Sequence, residues 1–261
     1  IGNIRAGGEM RELDSEDFIP FINKYGQFIH ADWEGKTKSE ADLKAAIEVE
    51  AKDLAEHTGS EEWNKYGGWK DGPSFEAKGY FYPKKHDGKW WLVDPAGKLF
   101  WSNGIDCVWA GMKTPISDRE EYFRNLAGEN GEFSKLYGES NVALRGYYVD
   151  HLPYKTFDFG LANMIRKYGE DWKDDFIDKV HVRLNSWGFN TIGNWSSSGV
   201  YLMRRTPYVT SISNHSRPIE ASEGVWSKFP DPFDASFGKS LARRIHREKG
   251  KSVGDEWCIG Y

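Results

Sequence analysis

The segment GKWWLVDPAGKLFWSNGIDCV, residues 88–108, decides the fold because it contains two different strand patterns. With GYFYPKK before it, residues 79–85, its first part predicts a meander of three strands joined by tight turns. Asp87-Gly88 and Ala96-Gly97 supply the residues that tolerate positive φ in these turns. A small antiparallel meander is therefore expected here.

The third strand of this meander continues as an apolar segment up to Val108. Asn103 and Asp106 are its only polar interruptions after Ser102, a pattern typical of an interior parallel strand. Downstream, apolar strand patterns alternate with helical patterns up to the final segment DEWCIGY, residues 255–261. This alternation predicts an α/β fold of right-handed βαβ units around a parallel sheet.

The alternating elements after Val108 follow a consistent order. Long helical patterns are predicted at residues 172–187 and 232–249, and a shorter one at residues 198–206. Buried strands are predicted at residues 188–195, 207–213 and 255–261. Counted from the strand that ends near Val108, DEWCIGY is the fourth parallel strand.

The amino-terminal region has no such alternation. The first 35 or so residues mix glycine, proline, aromatic and charged residues, and we interpret them as an irregular linker. Ser39 then begins a predicted helix, with Asp42 completing a variant of the capping box. We expect residues 1–78 to form a linker and a helix that packs on a barrel, and residues 79–261 to form the first half of a (β/α)8 barrel.

Composition limits the classes of function. The net charge of −5 gives no support for nucleic-acid binding, and no apolar run is long enough for a membrane span. Aromatic residues make up 15% of the chain, which is explained either by an aromatic core or by a site where rings stack on sugars. Cys107 and Cys258 are expected to be buried free thiols.

Candidate binding residues follow from the position of active sites in parallel α/β folds, just past the carboxyl ends of the strands. Amides, indoles, a carboxylate and an imidazole occur at these predicted ends, and such a set suits neutral polyhydroxyl ligands. The predicted substrate-binding residues are Asn103, Asp106, Trp109, Asn194, Trp195 and His215. Each also has an ordinary structural explanation, as a strand-end closure, a core residue or a surface histidine.

Other chemistries lack their motifs. The chain contains no CxxC, HExxH, GxSxG, phosphate-loop or dinucleotide fingerprint, so no metal and no cofactor is expected. Arg119 has acidic neighbours in sequence and is interpreted as an ion-pair residue in the first instance.

Several of these segments together resemble a known family. GKWWLVDPAGKLFWSNGIDCV, TPISDREEYF (residues 114–123) and WGFNTIGNWS (residues 187–196) resemble the catalytic module of β-agarases of glycoside hydrolase family 50. FINKYGQFIHADWEGKT and KYGGWKDGP resemble the segment that precedes its barrel, so the resemblance runs from about Phe18 to Tyr261. It implies a retaining (β/α)8-barrel hydrolase.

The resemblance also implies where the catalytic groups lie. In such barrels a glutamate after an asparagine at the end of the fourth strand is the acid/base, and a glutamate at the end of the seventh strand is the nucleophile. The first is expected just after Tyr261, so we assign no catalytic residue within the chain. The chain is expected to be truncated after strand 4, and the missing C-terminal half of the barrel is an expected partner.

The sequence therefore predicts part of a secreted, periplasmic or cell-surface hydrolase that acts on agarose or a related red-algal galactan. Two alternatives stay open. One is a non-catalytic carbohydrate-binding or structural fragment that needs a second polypeptide. The other is a hydrolase of carrageenan-type galactan or small β-galactosides, for which Arg119, Arg145, Arg204 and Arg205 offer cationic groups.

Overall fold

The predicted meander is present as three antiparallel strands. The computed structural model describes residues 18–143, 145–222 and 228–261. Strands β1 (Tyr82–His86), β2 (Lys89–Val93) and β3 (Leu99–Phe100) pair in the order β1-β2-β3. Asp87 and Gly88 both have positive φ, 48° and 78°, which is the turn that a two-residue hairpin loop favours.

A buried carboxylate closes the second turn of the meander. Asp94 is fully buried, and its Oδ1 accepts hydrogen bonds from the backbone N–H groups of Ala96 and Lys98, each at 2.9 Å. Gly97 lies in the left-handed region at φ 85°. A side-chain cap of this kind replaces the hydrogen bonds that the turn backbone cannot make to a strand partner.

The remaining strands of the described chain form two further sheets. A three-stranded antiparallel sheet has the order β5-β7-β6, and a four-stranded parallel sheet has the order β10-β9-β8-β4. The strands are β4 (Gly104–Ile105), β5 (Lys113–Pro115), β6 (Tyr137–Ser140), β7 (Tyr154–Asp158), β8 (Thr191–Ile192), β9 (Tyr208–Val209) and β10 (Cys258–Gly260). The predicted α/β class is confirmed.

The helices separate these strands along the chain. They are α1 (Glu40–Glu56), α2 (Phe159–Tyr168), α3 (Trp172–Ser186), α4 (Ser198–Tyr201) and α5 (Ala235–Arg247). The capping box predicted for α1 is present, because Asp42 N–H donates to Ser39 Oγ at 3.2 Å and Ser39 N–H donates to Asp42 Oδ2 at 2.8 Å. Helices α3, α4 and α5 correspond to the three predicted helical patterns.

The described chain divides into two compact units. Among the described residues, one unit consists of residues 18–45 and 111–169, and the other of residues 46–110 and 170–261. The first unit contains the β5-β7-β6 sheet and α2, with a core of aromatic and aliphatic side chains. Its buried members are Ile116, Phe123, Phe133, Phe157, Phe159 and Ala162.

The antiparallel sheet of the first unit was not predicted from the sequence, which indicated only a long loop or a helix between the first two parallel strands. Its strands are three to five residues long and are separated by irregular segments. Asp158 is the last residue of β7. Its Oδ1 accepts hydrogen bonds from Leu161 N–H and from Met112 N–H, each at 2.9 Å. It therefore caps α2 and holds the chain that enters the sheet.

The second unit contains the meander and the parallel sheet. Helix α3 buries Phe176, Val180 and Leu184 as its predicted stripe requires, but Trp187 at its carboxyl end is 59% exposed. Gly104 in β4 has no space for a side chain, because a Cβ atom would lie 1.9 Å from the carbonyl oxygen of Thr191. The first two parallel strands are therefore in close backbone contact.

The prediction that the third meander strand continues without a break into the parallel sheet is wrong. The chain leaves the meander after Phe100 and begins the parallel strand β4 only at Gly104. Asn103 lies in the interval, where its backbone N–H donates to Asn190 Oδ1 at 2.9 Å and its side-chain amide donates to the Gly188 carbonyl at 3.0 Å. These bonds replace ladder pairing and mark the change from one sheet to the other.

The prediction of two buried thiols is also partly wrong. Both cysteines are free, but Cys107 is exposed and has a positive φ of 59° just after β4. Cys258 is half-buried in β10, where burial raises the pKa of its thiol to about 11. No helix in the described ranges is long and apolar enough to cross a bilayer.

Candidate functional site

The carboxyl ends of the parallel strands bring Asp106 and Asn194 together. Asp106 follows β4 directly, and its Oδ1 accepts a hydrogen bond of 2.8 Å from the backbone N–H of Asn194, two residues beyond β8. Cys107 N–H donates to the Asn194 carbonyl at 2.9 Å. The two strand ends are thus joined by a reciprocal pair of bonds.

Gly193 makes this junction possible. A Cβ atom at this position would lie 2.0 Å from Asp106 Oδ1 and 3.1 Å from the Ile105 carbonyl oxygen. Gly193 N–H donates to that carbonyl at 2.8 Å. The absence of a side chain therefore lets the Asp106 carboxylate approach the backbone of the neighbouring strand end.

Trp195 is the next residue and is held in an unusual conformation. Its φ is 57°, which is rare for a large side chain, and the residue is 67% exposed. Its backbone N–H lies 3.4 Å from Ser211 Oγ, in the segment after β9. An exposed indole on a strained backbone is not explained by core packing, so Trp195 is a candidate for ligand contact.

The hydroxyl of Ser196 stabilises this conformation through two hydrogen bonds. It donates to the Gly193 carbonyl at 2.8 Å and accepts from Val108 N–H at 3.0 Å. It therefore connects the segment after β8 to the segment that carries Trp109, which is 58% exposed. Sequence reasoning missed Ser196 and Ser211 as positioning residues, and the only available signal was that Ser196 directly follows the Asn-Trp pair.

His215 lies further from its strand than the other candidates. Five residues separate it from the end of β9, and its backbone N–H donates to Ser240 Oγ of α5 at 3.1 Å. The preceding Asn214 donates to the Phe237 carbonyl at 3.4 Å, and its buried Oδ1 has no partner. His215 is exposed and is attached to α5, with no direct bond to the Asp106–Asn194 junction.

Asn103 is at the opposite end of the sheet from the place that the sequence predicted. It precedes β4, so it lies at the amino end of that strand. Its partner Asn190 precedes β8, is buried, and donates to the Gly67 and Trp101 carbonyls at 3.0 Å each. Asn103 and Asn190 therefore set the register of two strands at the amino edge, whereas Asp106 follows β4 at its carboxyl end.

The strand-end site contains few charged groups. Arg204 Nε and the Tyr208 hydroxyl both donate to Asp255 Oδ2, each at 2.9 Å. Asp255 precedes β10, so this cluster lies at the amino edge of the sheet. Burial and the neighbouring Asp255 raise the pKa of the Tyr208 hydroxyl. Within the described residues, no three His, Cys, Asp or Glu side chains are placed to share a metal ion. The site therefore offers amide, hydroxyl, carboxylate and indole groups to a ligand.

Comparison with solved structures defines the class of fold. The chain superposes on "Structure of PfGH50B" with a TM-score of 0.84 at 24% identity, covering 96% of this chain and 39% of that one. It superposes on an agarase, AgWH50C, with a TM-score of 0.81 at 26% identity, covering 96% of this chain and 38% of that one. The chain thus has a mixed α/β fold of the kind seen in agarase structures.

Curated sequences give the particular resemblance. The chain is 28% identical to β-agarase B of Vibrio sp. (strain JT0107) over 95% of its own length, and 27% identical to β-agarase A of the same strain over 96%. The resemblance to β-agarases of glycoside hydrolase family 50, predicted from sequence motifs, is confirmed. The chain spans 28% and 26% of the lengths of these two relatives. No family model matches it.

Proposed function

We propose that this chain is part of the catalytic module of a retaining glycoside hydrolase that cleaves β-glycosidic bonds in agarose or a related red-algal galactan. The observation that carries the proposal is the strand-end site at the Asp106–Asn194 junction, next to the exposed Trp195. Indole faces stack on sugar rings, and amide and carboxylate groups bind hydroxyls in pairs. The similarity to β-agarases along almost the whole chain supports the same substrate class.

In this proposal β4, β8, β9 and β10 are the first four strands of a (β/α)8 barrel. Four adjacent parallel strands in sequential order support it, since a barrel of this type adds each new strand beside the last. Asp106, Trp109, Asn194 and Trp195 then form part of the substrate-binding floor. His215 would contribute from the loop before α5, at the periphery of that floor.

The chemistry requires two further groups. A retaining glycosidase uses two carboxyl groups about 5–5.5 Å apart, one to protonate the leaving oxygen and one to attack the anomeric carbon. We propose that both lie outside residues 1–261, because no Glu of the chain follows Asn in the position that the resemblance requires. This chain would bind and orient the galactan, and the complete protein would cleave it.

Two alternatives differ in measurable ways. A non-catalytic fragment would bind galactan without cleaving it in any complete form of the protein. A carrageenan-type hydrolase would need cationic groups for sulfate, but Arg204 is paired with Asp255 and Arg205 with Asp178. Arg119 lies over the rings of Tyr147 and Tyr148, at 5.0 and 4.9 Å from their centroids. These contacts engage three of the four arginines considered for sulfate and leave Arg145 as the remaining candidate; on this balance we favour a neutral galactan.

The test is the release of reducing ends by the full-length protein from agarose, κ-carrageenan and desulfated carrageenan. We expect cleavage of agarose, with retention of the anomeric configuration when the products are followed by NMR. Cleavage of the sulfated polymer alone would favour the second alternative. Binding to agarose without cleavage would favour the first. Because the polymer is too large to enter a cell, we also propose that the protein acts outside the cytoplasm.

A further inference from the structure

A second aromatic surface lies at the amino edge of the parallel sheet, away from the strand-end site. It is a groove of about 320 Å³ lined by Trp63, Trp69, Trp91 and Trp101, with Glu62 and Asn103 among its polar groups. Asn103 precedes β4 and Asn190, also in its wall, precedes β8. We call this surface the amino-edge groove. The proposed mechanism does not use it.

The rings in this groove are held in place. Trp91 and Trp101 are in an edge-to-face arrangement, with ring centroids 6.1 Å apart and an interplanar angle of 71°. Trp69 packs against Gly72, where a Cβ atom would lie 2.4 Å from the indole ring. Trp69 is nevertheless 49% exposed and Trp101 is 69% exposed. Fixed and exposed rings can contact a ligand with little further loss of conformational freedom.

The loop that carries Trp69 is fixed by Asn64. Its Oδ1 accepts from the backbone N–H groups of Tyr66 and Gly68, at 2.9 and 3.0 Å, and its amide donates to the buried Asp94. Trp69 N–H donates to the Leu99 carbonyl at 2.7 Å, which attaches the loop to β3. The groove is therefore built on the meander and does not depend on a mobile segment.

The polar groups of the groove suit hydroxyls. In the part of the chain that the structure describes, the four indole N–H groups have no protein acceptor, so they remain donors for a ligand. Glu62 supplies carboxylate acceptors, and Asn103 contributes an amide oxygen, since Nδ2 is the atom that donates to the Gly188 carbonyl. Flat rings with dispersed donors and acceptors are the surface that a pyranose chain requires.

The charge of the groove selects a neutral polymer. Glu62 is its one ionisable lining residue among the described positions, and neither Lys nor Arg contributes to the wall. A sulfate ester would approach an anion without a counter-charge, which is unfavourable. A neutral galactan meets no such penalty.

We propose that the amino-edge groove is a non-catalytic binding site for a neutral galactan strand, which anchors the enzyme to its insoluble substrate. This inference rests on the proposed function for the choice of galactan. It also explains why Asn103, which the sequence predicted as a sugar ligand, lies at the edge opposite to Asp106.

The test compares retention on insoluble agarose with hydrolysis of a short soluble agaro-oligosaccharide, using the full-length protein. We expect Trp101→Ala and Trp69→Ala to weaken retention about tenfold each, as loss of a central stacked ring does at binding sites. The kcat/KM for the short oligosaccharide should stay unchanged, since it occupies the carboxyl edge alone. Glu62→Gln should preserve retention on agarose and should reduce discrimination against κ-carrageenan.

Trp187→Ala is the matched control, because Trp187 is 59% exposed and lies outside the groove. Trp101→Phe keeps a ring and should retain most of the binding, and unchanged thermal melting of each variant excludes unfolding. Unchanged retention in Trp101→Ala and Trp69→Ala overturns the inference, including the case in which another part of the protein covers the groove. A wild-type protein that cleaves the oligosaccharide but is not retained overturns it as well. A protein that does neither overturns the proposed function together with the inference.

Discussion

At the scale of single residues, Trp195 differs from a packed core side chain in its backbone conformation and in its exposure. Its positive φ costs conformational energy, and its side chain is 67% exposed, so core packing does not compensate this cost. Hydrogen bonds of the neighbouring residues maintain the conformation. The backbone of Asn194 is tied to Asp106, and the hydroxyl of Ser196 is tied to Gly193. The local structure thus presents the indole to solvent at the strand end.

We predict that Trp195→Ala lowers the kcat/KM of the full-length enzyme on agaro-oligosaccharides by at least about tenfold, because it removes a stacking face. Steady-state kinetics checks this. Trp187→Ala, at the end of α3, serves as the control and should leave the kinetics unchanged. Equal effects of the two substitutions would contradict a binding role for Trp195.

His181 provides a pH-dependent prediction. It is buried in α3, with Nδ1 at 2.9 Å from Thr206 Oγ1 and Nε2 at 3.2 Å from the Val200 carbonyl oxygen. Burial and the nearby Arg205 lower the pKa of its ring from 6.5 to about 4. The neutral ring is therefore favoured in the folded state.

The pKa of His181 is lower in the folded protein than in the unfolded chain, so protonation favours the unfolded chain. The folded protein therefore has its full stability above about pH 6.5 and loses stability as the pH falls towards 4. The loss should reach roughly 3 kcal/mol of unfolding free energy over that interval. Urea unfolding at several pH values, compared with His181→Gln, measures it. The variant should lack this part of the pH dependence, whereas substitution of the exposed His215 by Gln should retain it.

The two thiols should react at different rates. Cys107 is exposed, whereas Cys258 is half-buried and burial raises the pKa of its thiol to about 11. Since the thiolate is the reactive form, iodoacetamide at pH 8 should alkylate Cys107 first and Cys258 only after unfolding. Peptide mass spectrometry of the native protein checks this, and equal labelling of both cysteines would contradict the described environment of β10.

At the scale of elements, the capping box of α1 is a prediction of the sequence that the structure reproduces in its side-chain bonds. Ser39→Ala should destabilise the protein by roughly 1 kcal/mol, because the N–H group of Asp42 loses its acceptor. Thermal unfolding monitored by circular dichroism measures the change. Ser39→Asp retains an acceptor and should have a much smaller effect, so a loss of the same size in both variants would exclude the cap as the cause.

Strong local signals allowed the meander and the long helices to be predicted. Asp87-Gly88 fixes a two-residue turn, and the stripe of Phe176, Val180 and Leu184 fixes the buried face of α3. The sheet formed by β5, β6 and β7 had no comparable signal, since its pairing joins segments as distant as Lys113 and Asp158. Tertiary pairing of short strands cannot be inferred from periodicity within each strand.

At the scale of the whole molecule, the rule that ligands bind beyond the carboxyl ends of parallel strands brought Asp106 and Asn194 to one place. The rule did not anticipate the position of Asn103, because the sequence predicted one continuous strand where the structure changes from the meander to the parallel sheet. For His215 the rule could not anticipate the bond to Ser240, which attaches the histidine to α5. The sequence therefore predicted which residues follow the strands directly, but it did not predict the path of the loop between β9 and α5.

A comparison of forms tests the proposed division of labour. The full-length protein should release reducing ends from agarose, whereas residues 1–261 produced alone should release none, because the proposal assigns both catalytic carboxyl groups to other residues. A chelator should leave the activity of the full-length protein unchanged, since two carboxyl groups suffice for this reaction. Measurable hydrolysis by residues 1–261 would show that the assignment of the carboxyl groups is wrong.

The contact between Gly193 and Asp106 has a practical meaning for anyone who wishes to alter substrate preference. Any larger residue at position 193 would displace the carboxylate and open the seam between β4 and β8, so mutagenesis libraries should leave this glycine untouched. Trp195, two positions along, is 67% exposed, so a change of its side chain would act on the proposed ligand contact directly. Packing thus constrains position 193, whereas the proposed ligand contact constrains position 195 of the same short turn.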